Sequence, residues 1–242
     1  MTTIQAPATA DTLVVSEVFG PTVQGEGPTT GRRASFVRLG GCNLSCSWCD
    51  TAYTWDSSRY DLRAELRRLP VDAIAARALA GSPGLVVISG GEPLMHQNQP
   101  GWTVLLDTLT SAGADIEVET NGTIAPTTET LASGARFNCS PKLTHSGDPL
   151  DKRIRPDALT ALAESGRAIF KFVCSGPDDV DEAAELIHRY GIPPATVWIS
   201  PEGTDAEQVL HHGKAVAEPA IRHGFNVGTR LHTLLWGKER RR

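Results

Sequence analysis

From Leu85 onward the chain repeats one phrase: a short apolar run, a turn, then apolar residues at helical spacing. Leu85-Val86-Val87-Ile88-Ser89 opens the series, and a short run apolar at nearly every position suits a strand buried on both faces, as in a parallel sheet. Further strands are predicted at 116–120, 136–140, 168–173, 196–200 and 226–230, with helices over 71–80, 102–112, 128–133, 157–165, 178–190 and 205–223. Upstream, 12–19 and 34–39 read as strands joined by a Gly- and Pro-bearing loop over 20–28. Residues 50–58 read as an irregular lid or short turn, and 59–69, without a clear period, as helical or irregular. Strands alternating with helices imply βα units and a parallel sheet. Their number and length fall short of a complete eight-fold barrel. The expectation is an α/β fold, an open partial βα (TIM-like) barrel, in a single domain over 1–242 with 1–11 and 238–242 as flexible ends.

Three cysteines, Cys42, Cys46 and Cys49, stand at C-x3-C-x2-C spacing just after the second strand. Thiolates favour iron–sulfur clusters, zinc or copper(I). A cubane [4Fe–4S] cluster held by three cysteines keeps one iron open for a small-molecule ligand. A structural zinc site wants a fourth Cys or His, and the candidates His96 and Cys139 lie far along the chain. Zinc and unrelated free thiols stay open as alternatives. Cys139 and Cys174 read as small buried hydrophobes.

Composition narrows the classes. The chain has 242 residues, 40% apolar and 21% charged, as an ordinary globular protein does. A formal charge of −5 argues against a nucleic-acid partner, and the basic run Lys238-Glu239-Arg240-Arg241-Arg242 reads as a solvated end. No apolar run is long enough for a membrane helix, no signal-peptide pattern opens the chain, and five cysteines do not form a disulfide framework. The expected location is cytoplasmic.

The cysteine motif, with Trp48 before its last cysteine, resembles the signature of the radical S-adenosylmethionine (SAM) superfamily. The resemblance implies that SAM chelates the open iron and is cleaved to a 5′-deoxyadenosyl radical, with Cys42, Cys46 and Cys49 as cluster ligands and Trp48 near adenine. Ser89-Gly90-Gly91-Glu92-Pro93 ends a strand, as does the superfamily's glycine motif for the SAM amino group. Glycine admits a ligand close to backbone, and Glu92 is expected to accept from the ammonium. Glu119, with Glu117, Thr120 and Asn121 around it, and Ser140-Pro141-Lys142 end two later strands and match SAM-contacting segments, as does Asp50. Without the resemblance, these are solvated turns and surface charges.

Within the superfamily, Val23-Gln24-Gly25-Glu26-Gly27, Arg38, Cys49-Asp50-Thr51 and Arg230-Leu231-His232 resemble the 7-carboxy-7-deazaguanine synthases over nearly the whole chain. That family's pattern implies binding of 6-carboxy-5,6,7,8-tetrahydropterin by Val23, Gln24, Gly25, Glu26, Arg38, Ser89 and His232, and of Mg2+ by Thr51. It also implies hydrogen abstraction at C6, ring contraction, regeneration of SAM and loss of ammonia. A flavodoxin-type reductase as electron donor and a homodimer are further implications. Some members end in a tryptophan–proline whose carboxylate approaches the substrate, whereas here Trp236-Gly237 leads into the basic run. Two alternatives stay open: a glycyl-radical enzyme activase, and an iron–sulfur electron carrier.

Overall fold

The computed structural model describes residues 11–242; the first ten residues of the expected flexible start lie outside them. Among the described residues nine strands form one sheet: β1 (Thr12–Val23), β2 (Arg33–Leu39), β3 (Arg67–Pro70), β4 (Leu85–Gly90), β5 (Asp115–Thr120), β6 (Arg136–Cys139), β7 (Ala168–Cys174), β8 (Val197–Pro201) and β9 (Asn226–Val227). Their order is β3-β1-β2-β4-β5-β6-β7-β8-β9, and the two end strands do not meet. Every pair from β2 to β9 is parallel. The architecture is the open, partial βα barrel that the alternation predicts.

Two features at the start differ. β1 pairs antiparallel with both β2 and β3. It also runs on to Val23 through the expected loop, with a register shift between Phe19 and Thr22 where Pro21 sits. A bulge is where a strand tolerates proline, because no ladder donor is needed there. The segment 59–69 yields a single turn, Leu62–Glu65, and then β3. The basic end is exposed, as its sequence suggests, yet Arg240 reaches back to pair with Glu17 and Glu65, both at 2.9 Å.

Alternate residues along each strand separate two faces. Val37, Ile88, Val118, Phe137, Phe170, Phe172 and Ile199 face outward and form one core with the helices Val71–Ala78, Pro100–Ser111, Pro156–Glu164, Pro177–Arg189 and Ala206–Arg222. Trp102 is the largest side chain buried there, and its indole N–H donates to Thr130 at 2.9 Å. Each fully buried Leu, Ile or Phe contributes roughly 1.5–3 kcal/mol. Residues of the opposite parity fill the barrel interior, apolar at one end (Ala34, Phe36, Leu85, Val87) and polar towards the strand C-termini. Cross-strand register places Glu17 beside Arg38, Arg38 beside Ser89 and Glu119 beside Asn138. Among the described residues no helix is long and apolar enough to cross a membrane.

Candidate active site

A cavity opens at the C-terminal end of the parallel strands, where βα barrels place their chemistry. It is lined by Cys42, Cys46, Cys49 and Thr51; by Trp48, Asp50, Gly91, Glu119, Ser140 and Lys142; and by Val23, Gln24, Gly25, Glu26, Arg38, Ser89 and His232. Of the residues expected at the site from sequence, Glu92, Pro141 and Glu117 do not line it.

Glu92 is a correction. It is fully buried, and its carboxylate accepts from the Leu94 N–H at 2.9 Å, the Thr120 hydroxyl at 2.8 Å and the Asn121 N–H at 2.6 Å. Held by these three donors and fully buried, the carboxylate braces the turn after β4 against the end of β5 and does not line the cavity where an ammonium would sit. The turn itself packs on the cysteine loop: the Glu92 N–H donates to the Gly41 carbonyl at 2.8 Å. A Cβ on Gly91 would lie 1.9 Å from that same carbonyl oxygen, so only glycine fits.

The cysteine loop is held from several sides. Asp148 accepts from the Ser45 N–H and hydroxyl, each at 2.9 Å. The Leu44 N–H donates to Cys42 Sγ at 3.4 Å, and Trp55 Nε1 donates to Cys49 Sγ at 3.4 Å. Such donors tune sulfur ligands of a cluster. Burial pushes the free Cys42 thiol up to about 12 and that of Cys46 to about 11, so at neutral pH a bound metal is what displaces their protons. Among the described residues no three His, Cys, Asp or Glu side chains converge on a single metal ion. Thiols that each bind a different iron of a cubane stand further apart than ligands sharing one ion. His96 supplies no ligand, since its ring nitrogens meet the Gly40 carbonyl at 2.8 Å and the Gln99 amide at 3.0 Å. Lys142 Nζ lies 5.4 Å from the centre of the Trp48 ring and donates to Ser140 Oγ at 3.0 Å.

The segment after β1 is buried, not exposed as its polar sequence suggests. Gln24 donates to Glu117 at 2.6 Å and to Glu119 at 3.1 Å, and its carbonyl accepts from the N–H groups of Gly25 at 2.7 Å and Glu26 at 3.3 Å. Its amide is consumed in shaping the loop, as is Glu117, which also accepts from Thr29 at 2.7 Å. Glu119 takes the Ser89 hydroxyl at 2.6 Å. A Cβ on Gly25 would lie 2.0 Å from His232 Nδ1, so glycine lets the imidazole seat against the loop. Burial holds His232 below its ordinary value, with Glu26 pulling the other way.

Four contributors were not assigned a site role from sequence. Lys171 on β7 pairs with Glu26. Arg230 links Glu26 at 2.8 Å, the Gly203 carbonyl at 2.6 Å and Asp50, joining three loops. These cations hold the Glu26 carboxyl well below its usual range despite burial. Glu17 orients Arg38 from β1, and Asn138 lines the cavity from β6. The available signal was a charged or amide residue inside an otherwise apolar strand, as in Ile169-Phe170-Lys171-Phe172 and Phe137-Asn138-Cys139.

The barrel, the cysteine loop and the glycine turn define a class. The pattern of the Radical SAM superfamily matches residues 36–199, and the chain belongs to that superfamily, whose chemistry rests on a [4Fe–4S] cluster and SAM. A 7-carboxy-7-deazaguanine synthase of Pyrobaculum aerophilum is 39% identical over 93% of this chain and 96% of its own. That of Bacillus subtilis is 33% identical over 94% and 98%. Within the superfamily the chain is a member of the 7-carboxy-7-deazaguanine synthase family, and it is a radical SAM enzyme. Crystalline QueE from Escherichia coli, 24% identical, shares the fold with a TM-score of 0.69 over 91% of this chain and 95% of its own.

Proposed function

We propose that this enzyme converts 6-carboxy-5,6,7,8-tetrahydropterin to 7-carboxy-7-deazaguanine, releasing ammonia and returning SAM unchanged. One observation carries the reading: the three cysteines, the Gly91 turn and a set of charged groups suited to a carboxypterin line one continuous cavity. Cys42, Cys46 and Cys49 hold the cluster. When bound, cluster and SAM supply a reversible hydrogen-atom abstraction. Trp48 packs on adenine, the Gly91 backbone meets the amino group, and Asp50, Glu119, Ser140 and Lys142 complete the SAM wall.

Arg38 and His232 take the substrate carboxylate, Arg38 with its two-pronged guanidinium and His232 as a neutral N–H donor. Glu26, kept ionised by Lys171 and Arg230, reads the donor edge of the pterin. Val23, Gly25 and Ser89 shape the pocket around it, with Gln24 acting through the loop it braces. Fixed charges in the cavity position the ring and restrain its rearrangement, while the radical chemistry belongs to the cofactors.

Thr51 is assigned to Mg2+. Its hydroxyl makes no capping bond to the turn that follows; it faces Cys49 Sγ at 3.6 Å within the cavity. A single neutral oxygen leaves most of the octahedron to substrate and water, so ion and substrate bind together. A flavodoxin-type reductant, a homodimeric assembly and a cytoplasmic setting complete the proposal.

The test is anaerobic incubation of reconstituted protein with SAM, reductant and the carboxypterin. New 7-carboxy-7-deazaguanine without stoichiometric 5′-deoxyadenosine is the expected result. SAM cleavage that proceeds at the same rate without the pterin overturns the assignment and favours an activase.

A further inference from the structure

Among the described residues lining the cavity, Asn138 is the side chain that carries both a strong donor and a strong acceptor and uses neither. It lies on β6 and is 1% exposed. Its Oδ1 and Nδ2 are both buried without a hydrogen-bond partner in the protein. Buried carboxamides are ordinarily satisfied, because each orphaned group forfeits its hydration. The other buried polar atom without a partner in this cavity is Trp48 Nε1, on the side assigned to adenine.

The neighbours of Asn138 are already engaged. Glu119, its partner across β5, holds Ser89 and Gln24. Lys171 on β7 holds Glu26. Gly27 packs over the amide so closely that a Cβ there would lie 2.8 Å from Nδ2. Asn138 is therefore fixed in place beneath the Gln24–Gly27 segment, on the substrate side of the cavity, with a donor and an acceptor to offer side by side. Both amide atoms are unpartnered, so a donor and an acceptor stand side by side whichever way round the amide is turned.

A planar carboxamide complements an edge that presents an acceptor next to a donor, as when asparagine reads adenine in a nucleic-acid groove. A 5,6,7,8-tetrahydropterin has such an edge, with the C4 carbonyl as acceptor and the adjacent N5–H as donor. The fully oxidised ring does not, because its N5 bears a lone pair and no hydrogen. We propose that Asn138 reads the C4-carbonyl/N5–H edge of the substrate and makes the site select the reduced ring over the oxidised one. This rests on the carboxypterin reading above, and adds to it a specificity-determining residue.

Asn138→Leu keeps the branched shape, with somewhat bulkier methyl groups, and removes both polar atoms; Asn138→Asp keeps the shape and puts an acceptor where the donor stood. Each variant, reconstituted anaerobically, is titrated with 6-carboxytetrahydropterin, with oxidised 6-carboxypterin and with SAM, and melted without ligands. Loss of about ten-fold or more in affinity for the reduced pterin is expected in both variants. The oxidised pterin, bound more weakly by the wild type, should change little in Asn138→Leu, so that discrimination collapses. SAM affinity should stay within about two-fold, and the ligand-free Asn138→Leu protein should melt no lower than wild type. Unchanged discrimination in Asn138→Leu overturns the inference. So does a loss confined to SAM, or an equal loss of both ligands with a lowered melting temperature. A wild-type protein that binds neither pterin removes the substrate reading and this inference together. Wild-type binding that survives both substitutions removes this inference alone.

Discussion

Glu17 on β1 accepts from Arg38 Nε on β2 at 3.2 Å, and the two are cross-strand partners. The carboxylate is almost wholly buried, and it also takes the Tyr53 hydroxyl at 3.1 Å and Arg240 at 2.9 Å. Its burial opposes ionisation, but Arg38 and then Arg240 hold it below the ordinary carboxylate value. Arg38 thus reaches the cavity from a fixed base. Arg38→Ala should weaken carboxypterin binding by about 1.5–3 kcal/mol, the scale of a hydrogen bond to a charged group, with SAM binding unchanged. Glu17→Gln keeps the guanidinium charge and loosens its placement, for a smaller loss of about 1 kcal/mol. Anaerobic calorimetry with each ligand checks this; equal loss of both ligands in Arg38→Ala would assign Arg38 a structural role.

Gly25→Ala should displace His232, because the new Cβ falls 2.0 Å from its Nδ1. The loop backbone is held by the Gln24 side-chain carbonyl, so the ring is the group that must shift. The variant should bind the carboxypterin at least about ten-fold more weakly while retaining the cluster spectrum. Normal pterin affinity would show that the imidazole plays no part in binding.

Cys46→Ala should abolish the visible absorption of the reconstituted cluster and activity together. Cys139→Ala should leave both intact, since Cys139 is fully buried in the helix-facing core and burial drives its thiol far up. Iron and sulfide analysis decides: a four-iron cluster surviving in Cys46→Ala removes that residue as a ligand.

Mg2+ should accelerate turnover, with Ca2+ a poorer substitute because it prefers longer bonds and more ligands. In Thr51→Ala most of the Mg2+ stimulation should disappear while cluster content and SAM binding stay. An unchanged Mg2+ response in that variant takes Thr51 out of the metal site.

Acid should destabilise the protein partly through His96. Burial lowers its pKa in the folded state from 6.5, so the unfolded chain binds its proton more readily. The stability contributed by the neutral ring is complete above the unfolded value and declines as pH falls through and below it, by at most about 1.4 kcal/mol per pH unit for one proton. Urea unfolding of the ligand-free protein between pH 8 and about pH 5 should show this component, and His96→Gln should lack it. Identical pH slopes in the two proteins would rule out His96 as its source.

The local pattern of residues determined much of this molecule. The apolar run Leu85–Ile88 and its successors specify strands, and their alternation with amphipathic helices specifies a parallel βα sheet, because those periods are properties of single segments. The cysteine spacing brought Cys42, Cys46 and Cys49 to one loop for the same reason, and Gly91 was legible as a place of close backbone approach.

What only the tertiary structure decided is which polar groups are spent and which are free. Gln24 and Glu92 look from sequence like ligand-binding groups beside flexible backbone, yet their hydrogen-bonding atoms are taken up within the protein. Asn138 and Lys171 look like interruptions of strands, yet both face the cavity. Arg240 reads as part of a solvated end, yet it reaches Glu17, 223 residues away in the chain. A side chain's hydrogen-bond partners come from distant segments, and strand register settles which face it occupies. Neither is written in a residue's neighbours along the chain, so the folded sheet had to decide.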